Sequence, residues 1–253
     1  MLLKDELVVI TGASRGLGAE VARAAHREGA WVVINYFRSA GLAADLVNEL
    51  GGRAVAVQAD VRNLAAVHQM IEQAEAWASR PVTGLVNNAL IDFQFNGDAR
   101  DKLETLEWSA MHQQLEGAVG GSLNTLKACF ASMRKAGKGS VVNIGTNLFQ
   151  NPVVPYHDYT ASKGALLALT RTAAHEWGPH GIRVNMVSGG LLRTTSASAA
   201  TPDAVFDLIA ASTPLRQVTT PDEMADAVLF LLSSLARGVT GQNLVVDGGL
   251  VMN

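Results

Sequence analysis

The stretch Leu7-Val8-Val9-Ile10-Thr11-Gly12-Ala13-Ser14-Arg15-Gly16-Leu17-Gly18 decides the fold. Its first four residues are apolar and largely β-branched, the pattern of a strand buried on both faces. The strand runs into a turn with glycines at 12, 16 and 18, and an amphipathic helical pattern continues over 18–28. That order builds a cradle for phosphate. Glycines keep the turn tight and let backbone N–H groups approach a ligand, and the helix N-terminus adds the positive end of its dipole. The spacing departs from the commoner G-x-G-x-x-G. A glycine turn by itself also serves ordinary strand–helix connections, so its meaning depends on the rest of the chain.

Outward from this turn the alternation continues. Further β-branched runs fall at 31–34, 54–57, 85–86, 141–144, 182–187 and 243–246. Helical stretches lie between them at 40–50, 64–79, 111–135, 159–177 and 221–235. Strands alternating with helices predict an α/β fold, a doubly wound parallel sheet with helices on both faces. No linker, repeat or low-complexity tract interrupts residues 1–253, which predicts a single domain. Two stretches fit the alternation poorly: 91–106, polar and carrying Gly97, and 188–213, rich in Ser, Thr and Ala. Both come after strands, where ligand crevices form in open α/β sheets.

The 253 residues are 48% hydrophobic, enough for a large core, and their net charge of −3 argues against nucleic acid or an anionic membrane as partner. Apolar runs such as 228–232 are too short to span a bilayer. The one cysteine, Cys129, permits no intrachain disulfide, which suits a cytoplasmic location. The first strand begins so near Met1 that no signal peptide is expected.

The end of the second strand bears on the ligand. A site for NAD places an acid there to bind the ribose hydroxyls. Here the sequence reads Asn35-Tyr36-Phe37-Arg38, with no acid between Ala30 and Ala44, and Arg15 lies in the glycine turn. Two arginines without a carboxylate favour the additional phosphate of NADPH over NADH. The alternative is a pair of solvated surface arginines. Asp60 and Val61, after the third strand, are placed to receive an adenine, and Asn87-Asn88-Ala89, after the fourth, to line the adenosine and ribose.

Tyr159 and Lys163 stand four apart in a helical pattern and so share one face. A tyrosine's ordinary pKa of about 10 is high for proton exchange near neutrality. An ammonium about 5 Å away, at an effective dielectric of about 20, favours the phenolate by roughly 3 kcal/mol, or about two pKa units. Partial burial opposes that shift, and an oxidised nicotinamide ring adds to it. Thr146, in the loop after the fifth strand, supplies a hydroxyl to hold a carbonyl oxygen. Alone, Tyr-x-x-x-Lys is an ordinary surface pair. Beside the glycine turn and the hydroxyl loop, it predicts hydride transfer between a nicotinamide dinucleotide and a carbonyl. Thr146, Tyr159 and Lys163 form the expected catalytic set.

With Asn185, Thr240-Gly241-Gln242 and Val246-Asp247-Gly248-Gly249, these motifs resemble the short-chain dehydrogenase/reductase family over essentially the whole chain. The pattern is closest to bacterial 3-oxoacyl-acyl-carrier-protein reductases, enzymes of fatty acid biosynthesis. The resemblance implies a Rossmann-type sheet of seven parallel strands and a homotetramer built partly through the C-terminal segment. It implies Tyr159 as acid/base, Lys163 on the nicotinamide ribose and Thr194 near the carboxamide. The cofactor contacts it implies are Gly12, Ser14, Arg15, Gly16, Leu17 and Gly18, then Arg38, Asp60, Val61, Asn88 and Ala89, then Tyr159, Lys163, Gly190 and Thr194.

Four departures from the family pattern stand out. Thr146 replaces a serine, keeping the hydroxyl. Leu90 replaces the glycine of Asn-Asn-Ala-Gly and brings bulk near the nicotinamide. Gly189-Gly190 replaces Pro-Gly, which is expected to loosen the substrate loop. The asparagine of the long central helix is missing; its place falls within Leu115-Glu116-Gly117-Ala118, and Asn124 lies about two turns further on. In the family that asparagine helps hold a water relaying protons to the lysine. Gln113, Gln114 and Glu116 are the nearby polar substitutes.

Phe149, Gln150, Val153, Val154 and His157 lie between Thr146 and Tyr159, with Phe93, Phe95, Leu191 and Leu192 in the two irregular stretches. Such a mixed surface suits a carbonyl substrate, small or carrier-bound, with an apolar portion. The histidines form no metal-ligand spacing, so no metal is expected. An NADPH-dependent carbonyl reductase leads. An alcohol, sugar or steroid dehydrogenase using the same residues remains open, as does a nucleotide-binding regulator that kept the fold and lost the chemistry.

Overall fold

The computed structural model describes residues 1–95 and 100–252; Gly97 and Asn253 lie outside the described residues. Strands β1 (Leu7–Ile10), β2 (Trp31–Tyr36), β3 (Ala54–Gln58), β4 (Val82–Asn87), β5 (Gly139–Thr146), β6 (Ile182–Gly189) and β7 (Asn243–Val246) form one sheet. Every pairing is parallel, in the order β3-β2-β1-β4-β5-β6-β7. Helices α1 (Gly16–Arg27), α2 (Ala40–Leu50), α3 (Leu64–Ala78), α4 (Trp108–Leu115), α5 (Gly121–Ala136), α6 (His157–Trp177), α7 (Asp203–Ser212) and α8 (Pro221–Leu232) lie between the strands.

The apolar runs are continuous because both faces of the sheet are covered. In β1, Val8 and Ile10 enter a core shared with α1, α2 and α8, whereas Leu7 and Val9 enter a second core shared with α3, α5 and α6. Strand order reverses between β1 and β4, and the crevice at such a switch point opens at the carboxyl ends of the strands. The β5–β6 register brings Thr146 beside Gly189 at that end.

Three elements differ from the sequence expectation. The helix expected over 111–135 is not one regular rod. A π-helical turn, Glu116–Gly120, joins α4 to α5. A Cβ at Gly117 would meet Ile91 Cγ1 at 2.6 Å and one at Gly121 would meet Val61 Cγ2 at 2.8 Å. Small residues there let the helix approach the loops after β3 and β4, and the turn absorbs an extra residue. The second difference is α7, which lies inside the stretch expected to be irregular; Pro202 at its N-cap was the available signal. Third, Gly189 does not begin a loose loop. It is the last residue of β6, paired with Thr146 and Val246, and a Cβ there would lie 2.8 Å from Met224 Sδ. Among the described residues no helix is long and apolar enough to cross a membrane.

Candidate active site

Polar side chains fix the glycine turn. Asn35, buried near the end of β2, accepts from Gly12 N at 3.2 Å through Oδ1 and donates through Nδ2 to the Ala59 carbonyl at 3.1 Å. Thr11 Oγ1 accepts from the N–H groups of Asn88 and Ala89 at 2.9 and 3.0 Å. Asn88 Nδ2 donates to the carbonyls of Thr11 and Gly12 at 2.9 and 3.1 Å. Gly12 sits at φ +61°, and a Cβ on it would lie 2.9 Å from Ala89 Cα, so only glycine fits. Helix α1 has no side-chain cap and no acid in its first turn. Its first N–H groups, at Gly16 and Leu17 on the cleft lining, can therefore hold an anion.

Gly18 does not line the cleft. A Cβ there would lie 2.5 Å from Asn88 Nδ2 and 2.7 Å from the Gly12 carbonyl oxygen, so this glycine serves the packing of α1 beneath the turn. Gly18→Ala is expected to lower stability by about 1–3 kcal/mol through overpacking. The urea midpoint should fall at constant m-value; an unchanged midpoint would refute the packing account.

The turn opens into a cleft of about 1010 Å³ that reaches Thr146, Tyr159 and Lys163. Ser14, Arg15, Arg38, Asp60, Val61, Asn88, Ala89 and Gly190 also line it. Asn87 does not. Its side chain is buried beneath the site, accepting from Thr125 Oγ1 at 2.6 Å and donating to Asn143 Oδ1 at 2.8 Å. At the outer end the Arg38 guanidinium lies 5.0 Å from the centre of the Phe37 ring and 3.8 Å from Asp92. The sequence reading missed Arg62, which also lies over Phe37 and closes on Asp60 at 2.7 Å. Hydrogen bonding from Arg62 holds the Asp60 carboxyl below the usual carboxylate range. The signal was present as an arginine two residues beyond an acid at a strand end.

Tyr159 and Lys163 share the buried face of α6, and Thr146 ends β5. Lys163 Nζ donates to the Ile144 carbonyl at 2.7 Å and lies 5.7 Å from the centre of the Tyr159 ring. Phe93 stacks on that ring at 4.5 Å, and Phe95 meets it edge-on at 5.7 Å. Arg100 lies 4.4 Å over Phe93 and pairs with buried Asp158, next to Tyr159. These rings exclude water. Burial pushes the Tyr159 hydroxyl up to about 12, although a hydrogen bond from Thr146 favours the anion. Burial also pushes Lys163 down to about 8. The sequence expectation of a lowered tyrosine pKa is thus reversed: desolvation outweighs the Thr146 hydrogen bond, and the Lys163 ammonium is directed to the Ile144 carbonyl.

The site departs from expectation elsewhere. Thr194 is exposed and outside the cleft lining, whereas Thr195 is on it. Ala118 lies in the π-helical turn within the segment expected to hold the missing asparagine. Gln113 and Glu116 are exposed, Gln114 donates to the Ile91 carbonyl at 3.1 Å, and Asn124 donates to the Val61 carbonyl at 2.9 Å. None of these four makes a hydrogen bond to Lys163 among the described residues. Phe149 and His157 do not line the cleft, whereas Val153, Val154, Leu191 and Leu192 do. No group of three His, Cys, Asp or Glu among the described residues is placed to hold a metal ion.

This geometry has parallels. The sequence profile of the family described as Enoyl-(Acyl carrier protein) reductase matches residues 12–251. An L-rhamnose 1-dehydrogenase (NAD(P)(+)) of Azotobacter vinelandii is 35% identical, covering 100% of this chain and 99% of that protein. An A-factor type gamma-butyrolactone 1'-reductase (1S-forming) of Streptomyces virginiae is 36% identical over 99% and 97% of the two chains. A 3-oxoacyl-[acyl-carrier-protein] reductase of Synechocystis is 32% identical over 99% and 98%. A solved structure described as a short chain dehydrogenase/reductase family protein superposes with a TM-score of 0.84, at 37% identity and 98% coverage of each chain.

Proposed function

This chain belongs to the short-chain dehydrogenase/reductase family of NAD(P)-binding oxidoreductases, and from that premise we propose that it is an NADPH-dependent carbonyl reductase of 3-oxoacyl thioesters or related ketones. The observation that carries the reading is the meeting of Thr146, Tyr159 and Lys163 in the cleft that also holds the glycine turn. The uncapped first turn of α1 and the close backbone approach at Gly12 fit the pyrophosphate of a dinucleotide. The reduced nicotinamide supplies a hydride to the carbonyl carbon when it is bound. Tyr159 gives its proton to the carbonyl oxygen, and the Thr146 hydroxyl donates to the same oxygen as charge builds there. Lys163, anchored on Ile144, favours the phenolate left behind. Steady-state assays of oxidation and reduction with both cofactors test the reading. Tight NADPH binding without turnover of any carbonyl would favour a nucleotide-binding regulator, with the missing asparagine and Leu90 as the reason.

The preference for NADPH rests on Arg38 and Arg15 and on Tyr36, which ends β2 where an acid would bind ribose hydroxyls. A charge-assisted hydrogen bond contributes about 1.5–3 kcal/mol. Arg38→Asp is therefore expected to move the ratio of kcat/KM for NADPH over NADH by roughly 10–100-fold toward NADH. Equal kcat/KM for the two cofactors in the parent protein would remove this assignment.

We also infer a homotetramer. Exposed Trp108 on α4, Leu123 on α5 and Met252 near the C-terminus are the apolar surfaces that support it. Light scattering should give the mass of four chains; a stable monomer at micromolar concentration would refute it. The lone Cys129, buried and unpaired, suits a cytoplasmic enzyme.

A further inference from the structure

We propose that Arg100 and Asp158 are positioning residues for the proton donor: their ion pair holds Phe93 against the Tyr159 ring and so fixes where the hydroxyl points. This rests on the carbonyl reductase reading above. The contacts close a circuit. Phe93 stacks on the Tyr159 ring with centres 4.5 Å apart and planes 24° from parallel. The Arg100 guanidinium lies over Phe93 at 4.4 Å. It also pairs with the carboxylate of Asp158, the residue immediately before Tyr159 in α6. Phe95 and Tyr156 meet Phe93 edge-on at 5.2 and 5.3 Å, so the phenyl ring sits within an aromatic cluster. Phe93 and Tyr159 line the cleft, whereas Arg100 and Asp158 do not. The pair therefore acts on a bound ligand through the two rings.

An acid in the first turn of α6 suits the helix dipole, which would be reason enough for an exposed carboxylate. Asp158 is not exposed: its side chain is 4% accessible, and that of Arg100 23%. A carboxylate so placed needs a partner, and among the described residues its ion pair is with Arg100. Stability does not account for the pair, since a buried ion pair is often no more stabilising than packed apolar side chains of similar volume. Orientation does. A planar guanidinium can cover an aromatic face and meet a carboxylate at once, which a lysine ammonium, a compact point charge, cannot do as well. The other groups around Tyr159 hold its far end. Thr146 bonds the hydroxyl, and Lys163 is directed to the Ile144 carbonyl. The aromatic contacts are what steady the ring itself.

The test combines Arg100→Gln with Asp158→Asn, which removes both charges together and strands neither. Reduction of ethyl 3-oxoesters from butanoate to decanoate, and of the coenzyme A thioesters of the same acyl chains, is assayed beside fluorescence titration of NADPH. In the double variant kcat should fall roughly 10–100-fold, the scale for a reacting group misplaced by up to about 1 Å. The Kd for NADPH should stay at the parental value, since neither residue lines the cleft. Arg100→Lys keeps the charge opposite Asp158 and loses the flat stack on Phe93. Its kcat should fall by roughly 3–10-fold, the scale of one cation–π contact, again at parental Kd. If the double variant fails to fold, Arg100→Lys decides the matter alone. Parental kcat in Arg100→Lys would overturn the inference. So would a raised substrate KM at parental kcat, because Phe93 would then serve substrate contact alone. Failure of the parent protein to reduce any member of either series would overturn the reductase reading itself, and the inference with it.

Discussion

Tyr159→Phe is expected to lower kcat for ketone reduction by roughly 10²–10⁴-fold while NADPH still binds. The phenyl ring keeps the stack with Phe93 at 4.5 Å, so the packing of the cluster survives and only the transferable proton is lost. Fluorescence titration of NADPH beside steady-state reduction separates the two effects. Retention of full activity would sink the mechanism. The parent protein should also show a pH asymmetry. With its hydroxyl held up to about 12, Tyr159 stays protonated from pH 6 to 9, so reduction should vary little there on its account. Oxidation of the alcohol needs the phenolate, so its rate should rise with pH over the same range. A pH-independent oxidation rate would contradict the assignment of Tyr159 as base.

The second large effect is expected at Lys163. Lys163→Met should lower turnover by roughly 10²–10³-fold, the scale for loss of one preorganised donor, and should weaken NADPH binding as well. Its effect on stability should be small, for two opposed reasons. Burial holds the folded-state pKa at about 8, against about 10.5 for a free lysine, so the folded protein disfavours the ammonium. That penalty is fully present below pH 8, where both states are protonated, and fades as pH rises toward 10.5; at neutrality it amounts to about 3 kcal/mol. Removing the lysine relieves it. The Ile144 carbonyl then loses its donor, which costs about 1–3 kcal/mol. Tm at pH 7 should therefore lie close to the parent's. A large drop in Tm would make Lys163 a structural residue, whereas an inactive variant of parental stability marks a lysine retained for chemistry.

Much of the candidate site's geometry was legible because local rules govern it. A Tyr-x-x-x-Lys spacing puts both side chains on one helical face whatever surrounds them, and both point into the cleft. The positive φ of Gly12 arises in a turn that no side chain fits. Asn35 was less legible. In sequence it marked a missing acid, yet its side chain bridges the glycine turn and the end of β3, segments separated by more than twenty residues. Arg62 and α7 each left a local signal, Asp60 two residues before the arginine and Pro202 before the helix, but their places beside Phe37 and along the cleft depend on packing that sequence spacing does not show.

The sequence by itself determined the parallel α/β architecture, since continuous β-branched runs alternating with amphipathic helices can bury their apolar surface only in a sheet covered on both faces. It also determined which residue types could transfer a proton. Tertiary structure alone decided the direction of the Tyr159 shift, because desolvation depends on the rings of Phe93 and Phe95 brought over it from another loop. It alone decided that the central helix yields at Glu116–Gly120, because that turn answers to Ile91 and Val61 on distant loops. Periodicity reports what one segment prefers. Burial and close contact are set by segments far apart in the chain, and only their packing fixes them.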